Sequence, residues 1–260
     1  MSLEVRGVSF AYRGGRPLLH RADLSVDDGR QMYILGANGS GKSTLLRLIA
    51  GVLSPWTGEI LIDDVAAQSL GPRGRAHRLA MVPQGDVPLT GYKVAEVVVM
   101  GRASQLAFFS HPAKKDWGAV RDALADVGIA ELAERRYDAI SGGERQLALI
   151  ARGLAQGARN LLLDEPDAHL DPAYQHRVLT TLTALARGGL ALVVTSHHPN
   201  NALLFGDEVT FLIAGKTTPS RSPEAALNDD WLQAAYGIAF EGVRSGGSLR
   251  ALLPRRDSGR

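Results

Sequence analysis

Gly36-Ala37-Asn38-Gly39-Ser40-Gly41-Lys42-Ser43 fits the pattern G-x-x-x-x-G-K-[ST], the signature of a loop that wraps phosphate groups. The apolar run Met32 to Leu35 before it reads as a buried strand, and Thr44-Leu45-Leu46-Arg47-Leu48-Ile49-Ala50 after it reads as a helix. That is the strand–loop–helix setting in which the motif works. Glycines let the backbone turn tightly, so that successive N–H groups face phosphate oxygens. The helix start adds its partial positive charge. Lys42 is expected to reach the β- and γ-phosphates and Ser43 to ligate Mg²⁺. Gly36, Asn38, Gly39, Ser40, Gly41 and Thr44 complete the cradle. The stretch predicts nucleotide binding on an α/β fold.

The bulk properties narrow the class. A chain of 260 residues suits one large domain, or one domain with a subdomain. A formal net charge of +2 is too small to argue for nucleic acid. The absence of cysteine excludes disulfides and thiol chemistry and suits a reducing compartment. Met1-Ser2-Leu3-Glu4-Val5-Arg6 has no apolar signal core, and no uncharged apolar run is long enough to span a bilayer. A soluble, cytoplasmic chain is expected, one that relies on another subunit if it serves a membrane process.

Moving outward, residues 3–10 and 18–26 read as two strands around a turn at Arg13-Gly14-Gly15-Arg16-Pro17. Gly58 to Asp63 alternates like an edge or half-buried strand, and Leu79-Ala80-Met81-Val82 is a short strand ending at Pro83-Gln84. From about 92 the pattern turns helical, with Val94 to Met100 and Trp117 to Val127 as its clearest pieces. Ser141 has the place of an N-cap with Glu144 three residues on, opening a helix to Ala155. Asn160 to Asp164 and Leu190 to Thr195 read as buried strands with a helix from Pro172 to Ala186 between them. Strands alternating with crossover helices predict a P-loop core with a mostly parallel sheet, an N-terminal antiparallel β subdomain and an inserted helical subdomain. The expected division is a catalytic domain over residues 1–243, with the insertion at about 92–157. Residues 244–260 hold five arginines and a Ser-Gly-Gly-Ser stretch, and read as a solvated, flexible basic tail.

Two further constellations carry chemistry. Leu161-Leu162-Leu163-Asp164-Glu165 places two carboxylates at the C-terminal end of a buried strand, where ligands sit in open α/β sheets. Asp164 is expected to hold the Mg²⁺ hydration shell, and Glu165 to orient or deprotonate water facing the γ-phosphate. Ser141-Gly142-Gly143-Glu144-Arg145 opens a helix with unblocked N–H groups and a hydroxyl, a second phosphate cradle. One chain cannot easily place both cradles on one nucleotide, whereas two antiparallel chains can.

With these motifs in order, residues 2 to about 215 resemble an ATP-binding cassette, the nucleotide-hydrolysing subunit of ABC transporters. The resemblance implies further roles. Tyr12 stands where an aromatic stacks on adenine, and Gln84 where a glutamine contacts Mg²⁺ and the attacking water. Leu170-Asp171 looks like the loop that meets the partner's nucleotide, and His197 like the switch histidine that bonds the γ-phosphate. Ser141, Gly142 and Gly143 resemble the signature, with Glu144 where glutamine is commoner; His198 follows where many members have aspartate. Val98-Val99-Met100-Gly101-Arg102, Phe108-Phe109-Ser110-His111-Pro112 and Thr195-Ser196-His197-His198-Pro199-Asn200-Asn201-Ala202 are similar to importers of iron–siderophores, haem, cobalamin and molybdate or tungstate. They indicate a type of transporter and leave its cargo open.

The implied machine is a homodimer sandwiching two ATP molecules with Mg²⁺, peripheral on the cytoplasmic face of the membrane. It would drive transmembrane permease subunits served by a substrate-binding protein, with no nucleic acid involved. Val87, Leu89, Tyr92, Leu106, Phe108 and Phe109 are the candidate permease contact. Too few residues separate Gln84 from Ser141 to hold the long coiled coil of DNA-repair cassettes, and translation-type cassettes carry two P-loops in one chain. An exporter cassette stays open, and the signature and switch histidine argue against a small-molecule kinase.

Overall fold

A computed structural model describes residues 2–85, 89–107 and 110–255. In chain order the strands are β1 (Leu3–Phe10), β2 (Leu19–Val26), β3 (Gln31–Leu35), β4 (Thr57–Ile62), β5 (Val65–Ala66) and β6 (Leu79–Val82). They continue with β7 (Asn160–Asp164), β8 (Ala191–Ser196), β9 (Glu208–Ile213), β10 (Lys216–Thr217), β11 (Phe240–Ser245) and β12 (Ser248–Pro254). The helices are α1 (Lys42–Ile49), α2 (Pro72–Ala76), α3 (Val94–Val99), α4 (Lys114–Asp126) and α5 (Gly142–Ala155). After β7 come α6 (Pro172–Arg187), α7 (Pro199–Phe205), α8 (Pro223–Ala226) and α9 (Asp229–Tyr236).

The central sheet runs β10-β9-β3-β8-β7-β6, parallel except for β10, and a separate antiparallel sheet runs β2-β1-β4-β5. Every residue of β3, β7 and β8 is buried, as expected of a parallel sheet covered on both faces. The pleat sorts their side chains. Met32, Ile34, Leu162 and Val193 face α1 and the antiparallel sheet. Tyr33, Leu35, Leu161, Leu163, Leu192 and Val194 face the helical side, with Leu147 and Ile150 of α5 and Leu179 of α6.

Residues 92–157 carry α3, α4 and α5, which pack on one another and on the sheet. Arg102, in a 3-10 segment after α3, ties this region together. Its guanidinium donates to Oδ1 of Asp116 in α4 (3.1 Å), to the carbonyl of Ala155 at the end of α5 (2.8 Å) and to Gln105. Asp116 is 1% exposed, and its other oxygen caps α4 through the Ala113 N–H. The helix that opens at Ser141 is thereby held at its far end.

The C-terminal segment corrects the expectation of a flexible tail from Arg244. Residues 240–254 form an antiparallel hairpin, with Phe240, Leu249 and Leu252 buried in the main core. The Ser-Gly-Gly-Ser stretch is its turn. Gly246 and Gly247 have φ +59° and +84°, the left-handed pair that a two-residue hairpin loop needs. Residues 256–260 lie outside the described residues.

Arg102→Ala would leave the Asp116 carboxylate buried without its cation and free the end of α5. Thermal unfolding is expected at a midpoint lower by about 5 °C or more. The double variant with Asp116→Ala should lose less than the two single losses together, measured by circular dichroism melts.

Candidate functional site

The C-terminal ends of β3, β8, β7 and β6 lie side by side and deliver the predicted residues to one place. Gly36 to Gly41 leave β3, His197 leaves β8, Asp164 ends β7 with Glu165 next, and Gln84 follows β6. A cavity of about 650 Å³ opens there, lined by residues including Asn38, Lys42, Ser43, Gln84, Glu165 and His197. Gly41 caps α1 with φ +106°, a conformation that only glycine adopts freely. It turns the chain so that α1 starts at the cavity with its N–H groups forward.

Three donors converge on one carboxylate. Glu165 Oε1 is 3.4 Å from Lys42 Nζ. Glu165 Oε2 accepts from Gln84 Nε2 at 3.0 Å and lies 3.2 Å from His197 Nδ1. Lys42 is 4% exposed and also donates to the carbonyls of Gly36 and Ala37 at 2.9 and 3.2 Å. A buried ammonium is tolerable only with such compensation, and incoming phosphate oxygens offer it the same.

Asp164 takes a different role. Its Oδ1 accepts from Ser43 Oγ at 3.0 Å and from Thr195 Oγ1 at 2.8 Å. Ser43 and Asp164 thus present two hard oxygen ligands side by side, a donor set that suits Mg²⁺, which takes few protein ligands and completes its shell with water and phosphate. No cluster of three or more acidic, histidine or cysteine side chains able to hold a metal by itself occurs among the described residues.

Thr195 has no role in the sequence reading, and the structure gives it one. While donating to Asp164, its hydroxyl accepts the Glu165 backbone N–H at 3.0 Å, so it positions both carboxylates. A threonine at a strand end carries no motif of its own, and the pairing with β7 alone reveals it. His198 and His169 also line the cavity. The His198 ring lies 4.0 Å from that of His197; partial burial and then the neighbouring ring lower its pKa.

Several predicted residues lie elsewhere. Tyr12 stands at the margin, 45% exposed, with its hydroxyl 3.1 Å from Thr44 Oγ1 and its ring edge-on to Phe10. Ser141, Gly142, Gly143 and Asp171 do not line this cavity. Ser141 Oγ accepts from the Glu144 N–H while the Glu144 carboxylate accepts from the Ser141 N–H, so glutamate serves the cap as glutamine would. A Cβ on Gly142 would meet open space, whereas one on Gly143 would sit 2.2 Å from the Tyr174 ring. Gly143 is therefore needed for packing of α5 on α6 within the chain. Asp171 caps α6, accepting from the N–H groups of Ala173 and Tyr174 at 2.9 and 3.0 Å. Of the candidate permease contact, Tyr92 is exposed and Leu89 packs partly on the core. Leu106 is half-buried, and Val87, Phe108 and Phe109 lie outside the described residues.

The chain is similar to known proteins over most of its length. A family model described as ABC transporter matches residues 19–168. The hemin import ATP-binding protein HmuV of Bordetella pertussis is 37% identical over 247 residues, covering 92% of this chain and 93% of its own. The cobalamin import ATP-binding protein BtuD of Halobacterium salinarum is 37% identical, covering 91% and 59% respectively. A solved chain of an inward-facing ABC transporter assigned to the metal-chelate type superposes with TM-score 0.86 at 28% identity, covering 99% of this chain and 98% of that one.

Thr195→Val keeps the shape of the side chain and deletes its hydroxyl. Removing a residue that orients ligands and carboxylates from behind typically costs 10–100-fold. Steady-state ATP turnover is expected to fall by about 10-fold or more while the protein stays folded; turnover within twofold of wild type would remove Thr195 from the site.

Proposed function

The chain belongs to the ABC transporter family as an ATP-hydrolysing subunit, and from that premise we propose that two copies sandwich two ATP molecules and drive uptake of a metal chelate or metal oxyanion. The names of the related hemin and cobalamin import proteins and the metal-chelate assignment of the solved relative support import of a metal chelate. No helix among the described residues is long and apolar enough to cross a membrane. The transport path is assigned to permease subunits, with Tyr92 in their contact surface, and a substrate-binding protein delivers the cargo on the other side.

The observation that carries the chemistry is the convergence of Lys42, Gln84 and His197 on Glu165. ATP phosphates bind the cradle of residues 36–44, with the adenine on Tyr12. Ser43 and Asp164 would hold Mg²⁺, aided by Gln84, and the bound ion would supply charge neutralisation on the phosphates. Lys42 transfers part of its compensation from Glu165 to the phosphates, which frees the carboxylate to accept a proton from the attacking water. Gln84 orients that water. His197 keeps Nδ1 on Glu165 and turns its other ring nitrogen, Nε2, towards a γ-phosphate oxygen. Ser141 and Gly142 of the opposing chain complete the cradle, aided by its Asp171. Positioning and charge stabilisation account for most of the catalysis.

Glu165→Gln should bind ATP at least as tightly as wild type, because Lys42 then lacks its internal counter-charge, while turnover falls by about 100-fold or more. An ATP-bound dimer should accumulate in size-exclusion chromatography. Wild-type turnover would sink the assignment.

The signature should act across the interface. Gly142→Asp is accommodated by the fold, since the position faces open space, but it sets a carboxylate against the opposing γ-phosphate. Lys42→Ala lacks the phosphate-facing charge. Mixed together, these two inactive chains form one site with an intact loop and an intact signature. Turnover above either parent, or at least ATP-dependent heterodimers, is the expected outcome; neither, with both chains folded, rules the sandwich out.

A further inference from the structure

Asp167 and Asn201 lie beside the site without lining its cavity, and the reaction described above makes no use of them. Asp167 follows Glu165 by two residues and is 2% exposed. Its Oδ2 accepts a hydrogen bond from Nδ2 of Asn201 in the first turn of α7. Its backbone carbonyl accepts from Gln175 Nε2 of α6 at 3.2 Å. The Tyr33 hydroxyl senses the same carboxylate: burial first, and then the charge of Asp167, push that phenol's pKa up.

The two segments that this hydrogen bond joins are the ones that carry the chemistry. On one side, Glu165 and His169 have φ +46° and +60°. Such conformations of non-glycine residues persist only where the surroundings over-determine them. On the other side, α7 begins at Pro199, two residues after His197. Its first turn is gripped twice. Asn200 mimics a strand partner, with Oδ1 accepting the Leu252 N–H at 2.8 Å and Nδ2 donating to the Leu252 carbonyl at 3.0 Å. Asn201 grips Asp167.

We propose that the Asp167–Asn201 hydrogen bond is a positioning latch that sets Glu165 and His197 in register with each other. Neither residue touches substrate. The hairpin of residues 240–254 holds α7 from behind through Asn200, and the latch joins α7 to the strained segment that aims Glu165. The proposal rests on the reading of Glu165 and His197 as the reacting pair.

The test separates geometry from folding. Asn201→Ala removes the donor and is small enough to fold. It is expected to lower kcat by about 10-fold or more, since misplacing a reacting group by about 1 Å can cost 100-fold. KM for ATP and the ATP-induced melting shift should stay within about twofold, because the phosphate cradle is untouched. Asn201→Asp opposes two carboxyl groups and should lose more. The exchange Asp167→Asn with Asn201→Asp restores one donor and one acceptor, and is expected to recover kcat to at least about fivefold above Asn201→Asp alone. If Asn201→Asp does not fold, folding and turnover of the exchanged pair is the same recovery. The latch is overturned by wild-type kcat in Asn201→Ala, by parallel loss of kcat and ATP affinity, or by an exchanged pair no better than Asn201→Asp. Glu165→Gln run alongside tells the two failures apart. If it turns over normally, the underlying reading of the site falls and the latch with it. If it is inactive while Asn201→Ala is unaffected, the latch alone falls.

Discussion

Consecutive residues of a β-strand point to opposite faces, yet two consecutive carboxylates, Asp164 and Glu165, are proposed to act at one phosphate site. The chain resolves this by leaving the strand between them. Asp164 ends β7 inside the ladder, paired with Thr195, and Glu165 turns into a left-handed conformation, φ +46°. The turn brings its carboxylate back to Lys42, beside the Ser43–Asp164 pair. A non-glycine residue there costs of order 1–3 kcal/mol, offset by hydrogen bonds from Thr195, Gln84 and the following turn, where the Ala168 N–H reaches the Glu165 carbonyl. Much of the surrounding hydrogen bonding can be read as holding that one carboxylate in place.

The sheet order supplies the neighbours. In β9-β3-β8-β7-β6, Leu35 pairs with Ser196, and Asp164 with Thr195. One step past the ladder, Gly36, His197 and Glu165 therefore lie in a row, although more than a hundred residues separate the first from the others. Parallel strands with crossover helices place all the following loops at one end of the sheet, which is where ligands sit in open α/β folds. Burial on both faces keeps that end rigid, since Tyr33, Leu163 and Val194 on one side and Met32, Leu162 and Val193 on the other leave no slack.

What was legible in the sequence was what is local. The glycine and lysine pattern of residues 36–43, the run ending in Asp164-Glu165, and Ser141 with Glu144 each carry their chemistry within a few positions, and each sits on the expected element. What was not legible depends on pairings across the fold. Thr195 looks like any strand threonine until β8 is laid against β7. Asp167 and Asn201 lie 34 positions apart and meet only because α7 packs back on β3 and β8 beside α6. Gly143 reads as a phosphate contact, but its intramolecular duty is set by Tyr174, far along the chain. The Ser-Gly-Gly-Ser stretch reads as a linker by composition; as a hairpin turn it makes sense once Leu249 and Leu252 are seen to be buried.

The packing of Gly143 under Tyr174 bears on how the proposed sandwich would report its own closure. The start of α5 is open at Gly142 and closed at Gly143, so whatever docks on the open side pushes against a helix start already seated on α6. Asp171 caps α6 and Tyr174 lies in its first turn, and residues 165–169 lead towards it. A γ-phosphate bound by the signature of one chain would therefore bear, through the Gly143–Tyr174 contact, on the segment that aims Glu165 in that same chain. Its own nucleotide would act on Glu165 through Lys42. If the two nucleotides of such a dimer biased one catalytic carboxylate from opposite ends of this short, packed path, each would by reciprocity change the binding of the other by the same factor.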